Sequence, residues 1–162
     1  MVRDDVPTEG STRIAAPTLR RTAWHEAGHA VVAWDRGFTV TLVSIEPDAE
    51  SLGRAQHTPA ADCAIAAERK RANIVAMGGW ASELASGEAN DGTTYDSGDL
   101  RWMLSYIPED RIAIELGWAE SEAQRIVAAN IDRVERLANQ LLLQRELTDA
   151  CEILKIIEGP QS

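Results

Sequence analysis

Cysteine is scarce: two occur in 162 residues, Cys63 and Cys151, and neither has a Cys or His partner at metal-ligand spacing. A disulfide framework and a thiolate zinc site are therefore excluded. Both thiols read as small buried apolar side chains in a reducing compartment. Long apolar runs are missing as well. No stretch approaches the roughly 18 apolar residues of a spanning helix, and residues 1–17 carry Arg3, Asp4, Asp5, Pro7, Gly10 and Pro17 where a signal peptide would need an apolar core. Positive charge is in the minority. Sixteen Lys and Arg stand against 26 Asp and Glu, a net charge of -10 that repels polyphosphate backbones and anionic lipid. The expectation is a cytoplasmic protein with no nucleic-acid and no membrane partner.

Composition is otherwise that of a folded domain, with 44% hydrophobic and 26% charged residues, enough to build a core without staples. The length suits one domain. We read residues 1–17 as a flexible leader, 18–158 as a single domain and 159–162 as a tail.

Along the chain, Pro17 and Gly37 bracket a helix over Thr18 to Asp35. The β-branched run Phe38 to Glu46 predicts a strand. Leu52 to Thr58 is placed to pair back on it as an antiparallel hairpin. Apolar residues at helical spacing predict a second helix from Asp62 to about Ser86, interrupted by Gly78-Gly79, where another backbone must pack closely. A polar loop from Gly87 to Gly98 leads into a helix from about Asp99 to Tyr106. A further helix runs from Pro108 to Leu116 and a long one from Ser121 to Arg145. Thr148 caps a last helix ending before Gly159-Pro160. The predicted class is mainly α with a small antiparallel β-hairpin or sheet. The charge run Glu68-Arg69-Lys70-Arg71 reads as a solvated face.

Histidine is nearly as sparse as cysteine, with three in the chain, yet two fall in His25-Glu26-Ala27-Gly28-His29. In this His-Glu-x-x-His pattern, residues four apart share one helix face, so both imidazoles reach one ion from a single rigid element. Glu26 is set one position round the helix, close enough to take a proton from a water that the ion activates. Gly28, costly inside a helix, again implies close approach. Ala23, Ala27, Ala30, Val31 and Trp34 form the buried face. A catalytic zinc takes a third protein ligand. His57 reads as a half-exposed polar strand residue rather than that ligand. Glu83, Asp91, Asp96 and Asp99 are carboxylate candidates among which spacing does not choose.

The segment Thr22-Ala23-Trp24-His25-Glu26-Ala27-Gly28-His29-Ala30-Val31-Val32 resembles the active-site helix of the FtsH-type zinc peptidases. Met77-Gly78-Gly79-Trp80-Ala81-Ser82-Glu83 resembles that family's glycine-glycine helix, and Thr93-Thr94-Tyr95-Asp96-Ser97-Gly98-Asp99-Leu100 its Thr-Thr-Gly-Ala-Ser-Asn-Asp-Leu segment, in the same order. The likeness extends from about Thr18 to Ile157. It implies a zincin-like active-site helix in an FtsH peptidase-like helical bundle, with Zn2+ held by His25, His29 and Asp99 and with Glu26 as general base. Gly98, Tyr95 and Trp80 depart from the family's Asn, Gly and Arg at those positions. There is no Gly-x-x-x-x-Gly-Lys-Ser/Thr phosphate loop. The expected function is a stand-alone zinc metalloendopeptidase acting on peptides or unfolded protein without ATP, with the free edge of the hairpin binding extended substrate. The alternative is a non-enzymatic or regulatory domain that binds a partner protein or a separate ATPase. Homo-oligomerisation stays open. So does the question whether Trp24 and Trp80 line the cleft.

Overall fold

Thr18 opens the first helix with its hydroxyl, which accepts the amide hydrogen of Arg21 at 3.1 Å. The computed structural model describes residues 18–88 and 97–160. The leader 1–17, the loop residues Asp91 and Asp96 and the segment Thr93 to Asp96 lie outside the described residues, as do Gln161 and Ser162.

Helix α1 (Leu19–Asp35) is the axis of the molecule: 11 of its 17 residues are buried, on every face, as expected of a helix packed all round. It turns into β1 (Thr39–Ser44), which pairs antiparallel with β2 (Arg54–Thr58) in the register Thr39↔Thr58 to Ser44↔Arg54, with an irregularity between Val40 and Leu42. The hairpin is as expected. A two-residue strand, β3 (Glu146–Leu147), adds to the other side of β1, giving the order β2-β1-β3 and leaving β2 with one edge outside the sheet's ladder.

Helix α2 (Ala66–Ser86) lies against α1, and their two glycines meet. A Cβ on Gly28 would stand 2.3 Å from the carbonyl oxygen of Gly78, and one on Gly78 would stand 2.8 Å from that of Gly28. The close approach expected of both glycines is thus a single contact. Helix α3 (Ser97–Tyr106) is pinned by Met103 and Ile107, both buried.

After a 3-10 turn at Glu109–Arg111 the chain departs from the expected boundaries. Helix α4 runs unbroken from Ile112 to Ala129, and the break falls at Asn130, before α5 (Ile131–Gln144). Gly117 and Ser121 do not stop α4, because the Ser121 hydroxyl donates to the Gly117 carbonyl one turn back. Asn130 does stop it, bonding the Ile126 carbonyl through its side-chain amide. Helix α6 (Ala150–Glu158) is capped by Asp149, not Thr148: its carboxylate accepts the amides of Cys151 and Glu152. Cys151 is exposed, contrary to expectation, while Cys63 is buried.

The charge run on α2 is also not a solvated face. Arg69 is buried and forks onto both oxygens of Glu115 on α4, at 3.0 and 2.9 Å. Arg71 lies over the Phe38 ring and donates to the Arg36 carbonyl. The reason is helical phase: Arg69 shares its face with Ala72, Asn73 and Ala76, which α2 turns inward. Among the described residues, no helix is long and apolar enough to cross a membrane.

Candidate metal centre

One turn of α1 separates His25 from His29, and their rings meet edge to face with centroids 4.6 Å apart. The two Nε2 atoms are 3.0 Å apart. From α3, Oδ2 of Asp99 comes within 3.0 Å of Nε2 of His29 and 3.4 Å of Nε2 of His25. The three side chains can each offer one ligand atom to the same point. Donors about 2.0–2.2 Å from a tetrahedral ion stand about 3.3 Å from one another, so the spacing suits zinc.

The outer ring nitrogens are tied down. Nδ1 of His29 is 2.7 Å from the Val75 carbonyl oxygen, which can only accept, so Nδ1 carries the hydrogen. Nδ1 of His25 is 2.6 Å from Oε1 of Glu83, whose other oxygen accepts from Arg21 at 2.6 Å. With both Nδ1 atoms donating, two Nε2 lone pairs and a carboxylate oxygen face each other, an arrangement that repels itself unless positive charge sits among them.

The charges around the rings act in the same sense. Burial alone would lower the pKa of His25, but hydrogen bonds to Asp99 and Glu83 and the charge of Glu26 outweigh it and raise it to about 10. His29 is raised as well, its burial outweighed by Asp99. Burial would raise Asp99, yet the two imidazoles hold it well below the usual carboxylate range. The site favours a cation, and a divalent ion answers that demand with neutral imidazoles.

Space for these groups is made by glycine. A Cβ on Gly79 of α2 would lie 2.5 Å from Nε2 of His25 and 2.6 Å from Nε2 of His29. Glu26 is buried beside them, packed against Gly53, where an added Cβ would stand 2.8 Å from its Cγ and Oε1. His25, Glu26, His29, Gly53 and Asp99 line a cavity of about 1580 Å³ walled by α1, β2, α2 and α3.

The sequence candidates separate cleanly. His25, His29 and Asp99 are brought together, with Glu26 on the same wall. Glu83 stands behind His25 as its hydrogen-bond partner, outside the three-donor group. His57 lines the cavity but packs its ring, tilted by 39°, against Phe38, at 4.3 Å between centroids. Asp91 and Asp96 fall outside the described residues. Trp24 and Trp80 are buried and are not part of the cavity wall, whereas Trp102 and Tyr106 are. Sequence reasoning missed those two, although their spacing of three and seven from Asp99 puts them on one face of α3.

A His-Glu-x-x-His helix joined by a carboxylate from a neighbouring helix defines a metallopeptidase-type domain. A sequence model of peptidase family M41 matches residues 13–103, and the chain belongs to that family. It is similar to the ATP-dependent zinc metalloprotease FtsH 1 of Salinibacter ruber (strain M8), 32% identical over 148 residues that cover 88% of this chain and 20% of that protein. The chain thus spans about a fifth of the length of the curated relative it matches.

Proposed function

We propose that the chain is a zinc-dependent metalloendopeptidase that hydrolyses peptides or unfolded polypeptide segments without itself using ATP. The observation that carries this reading is the convergence of two Nε2 atoms and one carboxylate oxygen within 3.0–3.4 Å of one another on the wall of an open cavity, beside Glu26. His25, His29 and Asp99 would hold the ion. Zinc, when bound, supplies Lewis acidity that polarises the scissile carbonyl and lowers the pKa of water toward about 7.

The remaining steps belong to the chain's own groups. Glu26 takes the proton of the attacking water and passes it to the departing amine, so no covalent intermediate with the protein forms. Val75 and Glu83 fix the two ring orientations, so that both Nε2 atoms face the point where the ion would sit. The outer edge of β2 offers main-chain groups to an extended peptide, which favours unfolded substrate over folded protein. The relative's ATP dependence is a property of that protein. In this chain, peptide hydrolysis as such calls only for the groups named here.

The test is a Glu26→Gln variant assayed without ATP on an unstructured fluorogenic peptide. Cleavage should fall by about 10²–10⁴-fold while bound zinc per chain stays unchanged. Equal cleavage by the variant and the parent protein would overturn the proposal.

A further inference from the structure

Helix α3 has two working faces. Met103, with Ile107 just past the helix end, enters the core, while Asp99, Trp102 and Tyr106 turn toward the cavity. The Trp102 and Tyr106 rings touch, with centroids 5.2 Å apart and planes at 57°. They remain 38% and 48% exposed, an unusual state for two adjacent aromatic residues that pack against one another. Leu52, another exposed apolar side chain, also lines the cavity.

The occupant follows from continuity. The aromatic pair stands on the same helix face as Asp99 and walls the same cavity, so a chain bound at the His25, His29 and Asp99 group shares its space with the two rings. Along the helix axis Trp102 is about 4.5 Å and Tyr106 about 10 Å from Asp99. An extended peptide advances about 3.3 Å per residue. On a peptide laid along α3, the two rings would therefore face the first to third residue from the scissile bond.

We propose that Trp102 and Tyr106 form a specificity ledge that selects polypeptide substrates with a large apolar side chain, aromatic ones above all, within three residues of the cleaved bond. This rests on the peptidase reading and names its substrate class. Rings in contact leave their outer faces for a further ring or aliphatic chain to stack on. A lysine or arginine could also stack there. The apolar Leu52 and the small apolar residues Ala30, Ala33, Val40 and Val75, which line the same cavity, favour the apolar side chain.

The test separates recognition from chemistry. Glu26→Gln protein is titrated by calorimetry with ten-residue peptides of alanine, serine and glutamine in which one position, walked along the chain, is Phe, Ala or Lys. Phe at the best position should bind about 3- to 10-fold more tightly than Ala, the range an aromatic contact contributes. That margin should shrink to less than about 2-fold in a Glu26→Gln, Trp102→Ala protein and persist in Glu26→Gln, Tyr106→Phe, which keeps the ring. A margin that is absent, that is the same with and without Trp102, or that is exceeded by Lys overturns the ledge. Hydrolysis by the parent protein is measured alongside. Cleavage with no Trp102-dependent margin sinks the ledge alone, and a Trp102-dependent margin without cleavage sinks the peptidase reading alone.

Discussion

Oε1 of Glu83 lies 2.6 Å from Nδ1 of His25, on the side of the ring away from the converging Nε2 atoms. Its second oxygen is held by Arg21 at 2.6 Å. A carboxylate in that position fixes the tautomer and raises the basicity of the imidazole it touches. The Glu83→Gln variant, which keeps size and one acceptor, should bind zinc about 10- to 100-fold more weakly. Competition with a chelator of known affinity measures it, and unchanged affinity would show that His25 needs no such partner. Arg21→Ala should act in the same direction and more weakly.

Three glycines sort by what surrounds them. Gly28→Ala drives a Cβ into the Gly78 backbone and should destabilise the fold by about 1–3 kcal/mol, because two helix backbones must separate. Gly79→Ala meets the two imidazoles instead, so its main effect should be lost metal affinity. Gly117 has nothing within 4 Å of an added Cβ and lies inside α4. Its replacement by Ala should stabilise by about 0.5–1 kcal/mol. Urea unfolding of the three variants beside the parent protein checks the order.

Much of this was legible in the chain. The His-Glu-x-x-His helix, the Gly78-Gly79 contact and the β1-β2 hairpin follow from local spacing and turn chemistry. What escaped depends on distant partners. β3 is two residues long and exists because Leu147 meets Val43 across the sheet, which no local pattern announces. Arg69 looked like part of a charged surface because its partner Glu115 is 46 residues away. The period-3.6 pattern continues across Asn130, since Val127 and Ile131 keep phase, so the boundary between α4 and α5 was invisible to it. Asp99 sits in the first turn of α3, where the helix dipole alone favours an acid, and its approach to the two imidazoles needs α3 folded against α2.

The Arg69–Glu115 pair gives stability a pH dependence away from the metal centre. Hydrogen bonds from Arg69 and Arg111 hold the Glu115 carboxyl below its usual range despite burial. A depressed folded-state pKa contributes stability above the unfolded value of about 4.3 and loses it as pH falls through the folded value. Glu115→Gln should therefore lower the thermal midpoint at pH 7, and the gap from the parent protein should close as pH drops below about 4. A gap that is constant with pH would mean that the ion pair contributes nothing through its charge.

Metal stoichiometry tests the central claim most directly. Elemental analysis of the full chain after zinc loading and gel filtration should give about one zinc per chain for the parent protein and for Glu26→Gln. It should give little for His25→Ala, His29→Ala or Asp99→Ala, with each variant still helical by circular dichroism. Full zinc retention in folded Asp99→Ala, or none in the parent protein, would contradict a site built from two helices around one ion.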